Sequence, residues 1–259
     1  MNMRLLSLLL LFLAVPNNYS QPATPVQAAR TDRVIVKPRT IVIVRSGKIV
    51  RDFPEKKRAT IKSPLISGLG DVRVLRKVQS ILQIKNVFDT SVAEYREDNW
   101  LEEFDYKVNY NKNHILDLTF TQSGSGAYPD TQTKHFAINL QDGAVIKASN
   151  AFAGDKLDAL TALVRSKFQA ELAQNLKDLA DSKSDPEDIR IAKEAQEALE
   201  FKLSDIDDFS IGDKGVTFLY DAGYPHVIQA LEPNGEYFFS YSELRPYIKR
   251  DGPLGQFIQ

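Results

Sequence analysis

The sequence of 259 residues contains no cysteine and only three histidines. Without cysteine there is no disulfide framework, no lipid-modified N-terminal cysteine and no thiolate metal site. The histidines, His114, His135 and His226, also lack the close spacing of a histidine metal motif. The sequence therefore predicts a fold held by an ordinary hydrophobic core, with no bound metal and no cofactor.

The signatures of common enzyme classes are missing as well. There is no Gly-x-Ser-x-Gly nucleophile elbow, no phosphate-binding loop and no dinucleotide-binding fingerprint. Four acidic residues lie close in sequence without the ligand order of a calcium-binding loop: Asp205, Asp207, Asp208 and Asp213. We interpret them as a solvated turn and expect no catalytic residue. A pair of carboxylates for glycoside hydrolysis stays an alternative that spacing in the sequence does not test.

Long apolar runs are also missing, except at the start of the chain. Arg4 precedes an apolar segment at residues 5–15, and residues 16–29 are polar with several small side chains. This order is typical of a secretory signal peptide, and the apolar segment is too short to span a bilayer, which takes about 20 residues. We expect cleavage after Ser20 or Ala28 and a periplasmic or secreted protein with no transmembrane segment. An uncleaved N-terminal anchor is the alternative.

The net charge is only −1, but the charges are unevenly distributed. Residues 29–62 contain eleven Lys or Arg and three acidic residues, whereas the chain from residue 63 onward is acidic. A basic arm of this kind can contact the acidic body, an anionic lipid or a cell-wall polymer. The export signal and the acidic body both argue against a nucleic-acid partner.

Hydrophobic periodicity predicts an α+β fold in which an antiparallel β-sheet packs with one long and two shorter helices. Helical spacing places the long helix from residue 155 onward, and Asp71 and Asp185 are the predicted caps of the shorter helices. In the basic arm we expect a hairpin that turns at Ser46 and Gly47 and pairs residues 41–45 with 48–52. The other principal strands are predicted at residues 104–110, 115–122, 131–140, 209–211, 216–220, 227–231 and 237–241.

Two parts of the sequence carry a family resemblance. Gly126-Ala-Tyr-Pro-Asp130 precedes the predicted strand at residues 131–140 and the turn at Asp142 and Gly143, and Tyr241-Ser-Glu-Leu-Arg-Pro-Tyr247 follows the last predicted strand. In their order along residues 63–247 these motifs resemble the PdaC/RsiV-like extracytoplasmic domain family. Tyr128 stands where histidine is common in that family, and residues 221–224 depart from its usual Asn-Pro-Tyr-Glu run.

The resemblance implies an α+β domain that acts outside the membrane. In RsiV-like proteins the domain binds lysozyme, and in PdaC-like proteins it accompanies a peptidoglycan deacetylase domain, whose metal motifs this sequence lacks. We therefore divide the chain into a signal peptide (1–28), a basic β-hairpin arm (29–62) and a PdaC/RsiV-like α+β domain (63–259). We expect a non-catalytic binding module of the cell envelope, with an envelope polymer such as peptidoglycan or an extracellular protein such as lysozyme as its partner. The alternative is a hydrolase of envelope polysaccharide or peptide that uses acidic residues.

The expected ligand site lies on two loops that join strands, at residues 124–130 and 221–226. Both loops contain Gly and Pro, and each carries an aromatic ring that we expect to be exposed, Tyr128 in the first and Tyr224 in the second. Asp130 and His226 are the polar candidates beside these rings. The sequence thus predicts one shared site if the two loops meet on one face of the sheet.

Overall fold

The computed structural model describes residues 32–126, 128–182, 185–224 and 226–259. The strands and helices form a mixed α+β fold, as the sequence predicts. The predicted signal peptide at residues 1–28 lies outside the described residues.

The larger of two sheets is built from six strands, which follow one another in the sheet in their order along the chain. The strands are β1 (Ile35–Val44), β2 (Arg58–Ser67), β3 (Leu101–Lys112), β4 (Ile115–Ser125), β5 (Pro129–Asn139) and β6 (Ala144–Val145). Neighbouring strands are antiparallel, except that β2 and β3 pair in parallel over Thr60 and Ile61. This short parallel pairing joins the N-terminal ribbon of β1 and β2 to the remainder of the sheet.

β4 confirms the alternation that predicted it. In β3 the predicted face is kept only in part, because an irregularity between Val108 and Tyr110 places Tyr110 in the core on the opposite face from Phe104. Leu116, Leu118 and Phe120 of β4 are fully buried on one face of the sheet. The turn between β3 and β4 consists of Asn113 and His114, whose φ angles are 53° and 58°. Two consecutive positive φ angles are typical of the tight turns that match the twist of a hairpin.

Three short helices cover that buried face, namely α2 (Val72–Ile81), α3 (Ile84–Phe88) and α4 (Val92–Glu97). The side chain of Asp71 accepts hydrogen bonds from the backbone N–H groups of Arg73 and Val74, so the predicted cap of α2 is confirmed. Val78 of α2 and Val87 of α3 are fully buried in the core between helices and sheet. This core fixes β3 and β4 from one side.

The C-terminal part of the chain builds a second core around a sheet of three antiparallel strands in the order β7-β8-β9. Its elements are α5 (Ala148–Ala151), α6 (Leu157–Asp181), α7 (Pro186–Glu197), β7 (Phe209–Ile211), β8 (Gly215–Leu219), β9 (Glu236–Ser240) and α8 (Tyr241–Leu244). The predicted long helix is α6, which buries Leu160, Val164 and Phe168 in this core. Asp185 accepts a hydrogen bond from the N–H of Glu187 and caps α7, as predicted.

The second core meets the large sheet on its other face, but only at one end of that face. Tyr110, Ile115 and Ala137 pack with the small sheet there. Asp117 of β4 marks the limit of this contact, since its carboxylate accepts hydrogen bonds from the Oγ of Ser210 at 2.9 Å and from the N–H of Ile211 at 2.8 Å. Beyond Asp117 the same face of β3, β4 and β5 lies open beside the small sheet.

The predicted hairpin in the basic arm is wrong. Residues Lys48–Asp52 form a short helix, α1, and β1 pairs instead with β2 along its whole length. The cause lies in Arg45, which is buried and donates hydrogen bonds to the carbonyl groups of Lys56, Tyr95 and Leu101. These bonds draw the chain inward at the predicted turn. The predicted domain boundary after residue 62 falls inside β2.

The predicted strand at residues 227–231 is also wrong, because His226–Leu231 forms a 3-10 turn. The central strand β8 already has β7 and β9 as its two neighbours, so this segment has no place beside it in the small sheet. In the described ranges, no helix is both long and apolar enough to cross a bilayer.

Candidate functional site

The two loops that the sequence singled out meet at a cleft of about 380 Å³. The cleft lies where β4 ends and β5 begins. Its lining consists of Trp100, Gly126, Tyr128, Pro129, Asp130, Tyr224 and Gln229. Three aromatic rings from three separate segments of the chain are thus gathered around one cavity.

The first wall of the cleft depends on a close approach between the end of β4 and the residue before β3. The N–H of Ser125 donates to the carbonyl group of Trp100 at 3.1 Å. A Cβ atom at Gly124 would overlap that same carbonyl group, so only glycine allows the two segments to come this close. Tyr128 follows on this wall with 61% of its surface exposed, as the sequence predicts.

The opposite wall contains Tyr224, and here the prediction of an exposed ring is wrong. Tyr224 keeps only 9% of its surface exposed, because Gly223, at a φ of 62°, turns the chain inward just before it. Burial raises the pKa of the Tyr224 hydroxyl. That hydroxyl is buried without a hydrogen-bond partner among the described residues. An unpaired buried hydroxyl costs about 1–3 kcal/mol, so a water or ligand oxygen that reached it would stabilise the structure.

Asp130 and His226 are the other two predicted site residues. Asp130 lines the cleft, and its carboxylate accepts hydrogen bonds from the N–H of Thr131 at 2.8 Å and the Nε2 of Gln132 at 3.4 Å. The backbone of His226 lies in the 3-10 turn after the second loop, but its side chain lies outside the described part of the molecule. Tyr128, Asp130 and Tyr224 therefore share one cleft, and their role in binding stays a prediction.

A larger groove of about 580 Å³ adjoins the cleft, on the open face of the large sheet. Its floor is formed by side chains of β3, β4 and β5: Lys107, Asn109, Thr119, Thr121, Thr131, Thr133 and His135. Its wall comes from the small sheet and the segment before β9: Asp208, Ser210, Thr217, Leu219, Tyr220, Asp221, Glu232, Pro233, Asn234, Gly235 and Glu236. Most of these side chains carry hydroxyl, carboxylate or amide groups.

His135 and Asp208 face each other across the junction of floor and wall. Their Nδ1 and Oδ1 atoms are 3.6 Å apart, too far for a good hydrogen bond, and Nδ1 has no partner among the described residues. Burial lowers the pKa of His135 to about 4, so its ring is neutral at neutral pH. The pKa of Asp208 is raised to about 6, first by burial and further by the charges of Asp117 and Asp221, while Lys147 opposes the shift. The Asp208 side chain still keeps 56% of its surface accessible. The carboxyl group is thus reachable from the groove although protein atoms surround it.

A hydrogen-bonded network at the end of the groove holds the two sheets in place. The Nδ2 of Asn109 donates to the carboxylate of Asp117 and to the Oγ1 of Thr119, both at 2.7 Å. Burial raises the pKa of Asp117 to about 6, although the bonds from Asn109, Ile211 and Ser210 oppose this shift. Since Asp117 is fully buried, it supports the groove and cannot touch a ligand itself.

Reasoning from the sequence missed the groove, although one signal was available. Thr131, Thr133 and His135 alternate along β5, which places three polar side chains on one face of a strand. We interpreted that histidine as an isolated strand residue. Asp208 was interpreted as part of a solvated turn, because nothing local shows that β7 packs beside β5. Within the described ranges, no group of three or more His, Asp or Glu residues is arranged to hold a metal ion.

The comparisons with known proteins identify the fold and no function. No family model matches the sequence, and no curated protein matches it. The chain is similar to the crystal structure of a DUF3298 family member from Bacteroides fragilis, with a TM-score of 0.56, 14% identity, and coverage of 89% of this chain and 99% of that one. It is also similar to a DUF3298 family protein from Pseudomonas aeruginosa, with a TM-score of 0.50, 14% identity, and coverage of 83% and 94%.

These two likenesses show that this chain shares its fold with the two DUF3298 proteins. The DUF3298 family is part of the PdaC/RsiV-like group, so the shared fold is compatible with the resemblance seen in the sequence. At 14% identity the likenesses assign no role to any single residue.

Proposed function

We propose that this protein is an exported, non-catalytic binding module that holds a polysaccharide of the cell envelope, such as peptidoglycan, in the aromatic cleft. The observation that carries the proposal is the convergence of Trp100, Tyr128 and Tyr224 around one cavity with the carboxylate of Asp130. These groups come from segments far apart in the sequence, and the fold brings them to one place.

The chemistry of the cleft suits a sugar ring. An aromatic side chain offers a flat apolar surface for the C–H face of a sugar, while carboxylate and amide groups accept and donate hydrogen bonds to its hydroxyls. The volume of about 380 Å³ falls in the range of about 300–1,000 Å³ that is common for small-molecule sites. The large exposed fraction of Tyr128 leaves its ring accessible to a polymer that is too long to be enclosed.

The location of the protein is part of the proposal and rests on the sequence. The charged start, the apolar segment at residues 5–15 and the polar stretch after it are typical of a secretory signal peptide. Export would bring the cleft into contact with the polysaccharides of the envelope.

Co-sedimentation with insoluble peptidoglycan tests the proposal. We expect the wild-type protein to sediment with the polymer and Tyr128→Ala to bind about tenfold more weakly, a loss of about 1.4 kcal/mol. Phe53→Ala is a matched control, because Phe53 is also an exposed aromatic residue (51%) but does not line the cleft. Circular dichroism would verify that all three proteins are folded.

A parallel pull-down with lysozyme separates the two partners that the sequence suggested. Binding to lysozyme but not to peptidoglycan would replace the polysaccharide by a protein partner. If the wild type binds neither, or if Tyr128→Ala binds peptidoglycan as tightly as Phe53→Ala does, the cleft is not the site.

A second candidate function is hydrolysis of an envelope polysaccharide or peptide. It is favoured by Asp208, a groove carboxyl group whose pKa of about 6 suits a general acid near neutral pH. Incubation with labelled peptidoglycan would detect release of soluble fragments. Turnover by the wild type that disappears in Asp208→Asn would establish an enzyme, whereas equal and negligible turnover by both proteins supports the non-catalytic module.

A further inference from the structure

We propose that the groove beside the small sheet is a second binding region that continues the aromatic cleft, so that together they hold an extended, uncharged stretch of a polysaccharide chain over several sugar rings. This inference rests on the proposed function and adds to it the length and the chemical class of the ligand. It concerns the groove side chains, to which the cleft proposal assigns no role.

The two cavities follow one another along the chain and in space. Pro129 lines the cleft, and Thr131, the next residue on the same face of β5, lines the groove. On the opposite wall, the backbone N–H of Tyr224 in the cleft donates to the Oε1 of Glu232 in the groove at 3.4 Å. A polymer that leaves the aromatic cleft at Pro129 therefore meets the groove floor at Thr131, on the same face of β5.

The floor of the groove is large enough for several sugar rings of a polysaccharide and not only for one. Along β5 it extends from Thr131 to His135, and the four steps between these residues span about 13 Å at about 3.3 Å per residue. Across the sheet it extends from β3 to β5, which are two strand spacings, or about 10 Å, apart. The small sheet closes one side, so the floor is concave and not simply an exposed sheet face.

Hydroxyl groups on this floor are free to bind a ligand. Thr121, Thr131 and Thr133 make no side-chain hydrogen bond to another described residue. The Oγ1 of Thr119 accepts a hydrogen bond from Asn109, which leaves the hydroxyl hydrogen of Thr119 available as a donor. A hydroxyl both donates and accepts, as do the hydroxyls of a sugar, so the two sets of groups are complementary.

The wall provides acceptors at fixed positions. Asp208, Asp221, Glu232 and Glu236 line it, and Lys107 is the only Lys or Arg among the residues that line the groove. An anionic group inside the groove would be repelled by these carboxylates, whereas sugar hydroxyls can donate to them. The ring of His135, which is neutral at neutral pH, lines the same region and adds no charge to it. This combination favours an uncharged, hydroxyl-rich ligand.

Binding of N-acetylglucosamine oligomers of two, four and six rings would test the inference by calorimetry. For the wild type we expect the hexamer to bind at least about tenfold more tightly than the dimer, since only the longer chain reaches the groove. In the double variant Thr121→Val and Thr133→Val, which removes two hydroxyls from a cross-strand pair, this gain with length should disappear while the affinity for the dimer stays the same. Thr40→Val is the matched control, because Thr40 is exposed on β1, away from the groove.

The possible failures are distinguishable. Equal affinity for dimer and hexamer in the wild type, or a gain with length that survives in the double variant, would overturn the extended site while leaving the cleft proposal intact. Binding of a lysine pentamer in place of the sugar oligomers would overturn it as well, since carboxylates and not hydroxyls would then select the ligand. If the wild type binds no oligomer and no peptidoglycan, both proposals fail together.

Discussion

Two polar clusters lie on the large sheet, and they differ in how their groups are bonded. In the cluster around Arg45 and Lys56, both cations are buried and donate to protein oxygens. The two terminal nitrogens of Arg45 donate to three carbonyl groups, while its Nε has no partner among the described residues. Lys56 donates to Glu102 and to Ser125. In the groove, by contrast, the side chains of Thr121 and Thr133 are accessible, and their hydroxyls make no hydrogen bond to another described residue. The first cluster is closed and the second is open to solvent.

This difference indicates that the Arg45 cluster stabilises the fold, whereas the groove is available for binding a ligand. A buried group that is fully bonded contributes to the folded state, and its removal leaves its partners unsatisfied. Accessible groups without internal partners contribute little to folding but remain available for a ligand. We therefore expect substitutions in the Arg45 cluster to change the free energy of unfolding, and substitutions in the groove and cleft to change binding.

The largest effect is expected from Arg45→Ala. The substitution leaves the buried carbonyl groups of Lys56, Tyr95 and Leu101 without their donor, and a hydrogen bond to a charged group contributes about 1.5–3 kcal/mol. We expect the free energy of unfolding in urea to fall by at least about 3 kcal/mol. Arg51→Ala, an exposed arginine of α1, should change it by less than about 0.5 kcal/mol. Equal effects of the two substitutions would contradict the role of Arg45.

Asp117 should make stability depend on pH between about 4 and 6. Its pKa is about 6 in the folded protein and 3.8 for an ordinary aspartate, so the folded state retains a proton that the unfolded state has already released. The protonated Asp117 therefore makes its full contribution to the free energy of unfolding below pH about 4, and this contribution is lost as pH rises through about 6. The difference of roughly two pKa units corresponds to about 3 kcal/mol.

Urea unfolding of the wild type and of Asp117→Asn at several pH values isolates this contribution, because the other carboxyl groups are common to both proteins. The variant is expected to be less stable at every pH, since an amide at this position presents an N–H₂ group to donors of the network. The stability difference between the two proteins should nevertheless become smaller from pH 4 to pH 7. A difference that stays constant over this range would show that the carboxyl group of Asp117 is not protonated in the fold.

Gly124→Ala should distort the cleft, because it displaces the backbone segments that form its first wall. The added Cβ atom meets the carbonyl group of Trp100, so β3 and β4 must move apart at the first wall of the cleft. We expect a loss of about 1–3 kcal/mol in the free energy of unfolding together with weaker binding to peptidoglycan. Gly154→Ala is the control, because nothing lies within 4 Å of its added Cβ atom. Unchanged stability and binding in Gly124→Ala would show that this close approach is not required.

The smallest effect on folding is expected from Thr133→Val. Its hydroxyl has no partner among the described residues, and valine is as well suited to a strand as threonine. The midpoint of urea unfolding should stay within the equivalent of about 0.5 kcal/mol of the wild type. A larger destabilisation would show that the Thr133 hydroxyl belongs to the fold and would remove it from the open cluster.

The features that could be predicted from the sequence are those with a local signature. Alternating side chains predicted β3 and β4, and a strand-like run predicted β5. Helical spacing predicted α6, and the caps at Asp71 and Asp185 were predicted by residue type and position. Each of these signals involves residues that are close together in the chain.

The features that were missed depend on contacts between distant segments. The hairpin prediction around Ser46 was wrong because Arg45 bonds to carbonyl groups as far away as Leu101. Tyr224 was expected to be exposed, but in the folded protein its side chain is buried in the wall of the cleft. His135 and Asp208 become neighbours only when the small sheet packs beside β5. No local pattern in the sequence encodes such packing.

Thermal unfolding in the presence of soluble peptidoglycan fragments tests most directly whether the open groups of the cleft serve recognition. A ligand at 100 times its Kd stabilises the folded state by about 2.7 kcal/mol, which corresponds to a rise in Tm of about 5–10 °C for a protein of this size. We predict this rise for the wild type and for Phe53→Ala, and little or no rise for Tyr128→Ala, where each rise is measured against the Tm of the same protein without ligand. An equal rise in all three proteins, or no rise in the wild type, would contradict the account.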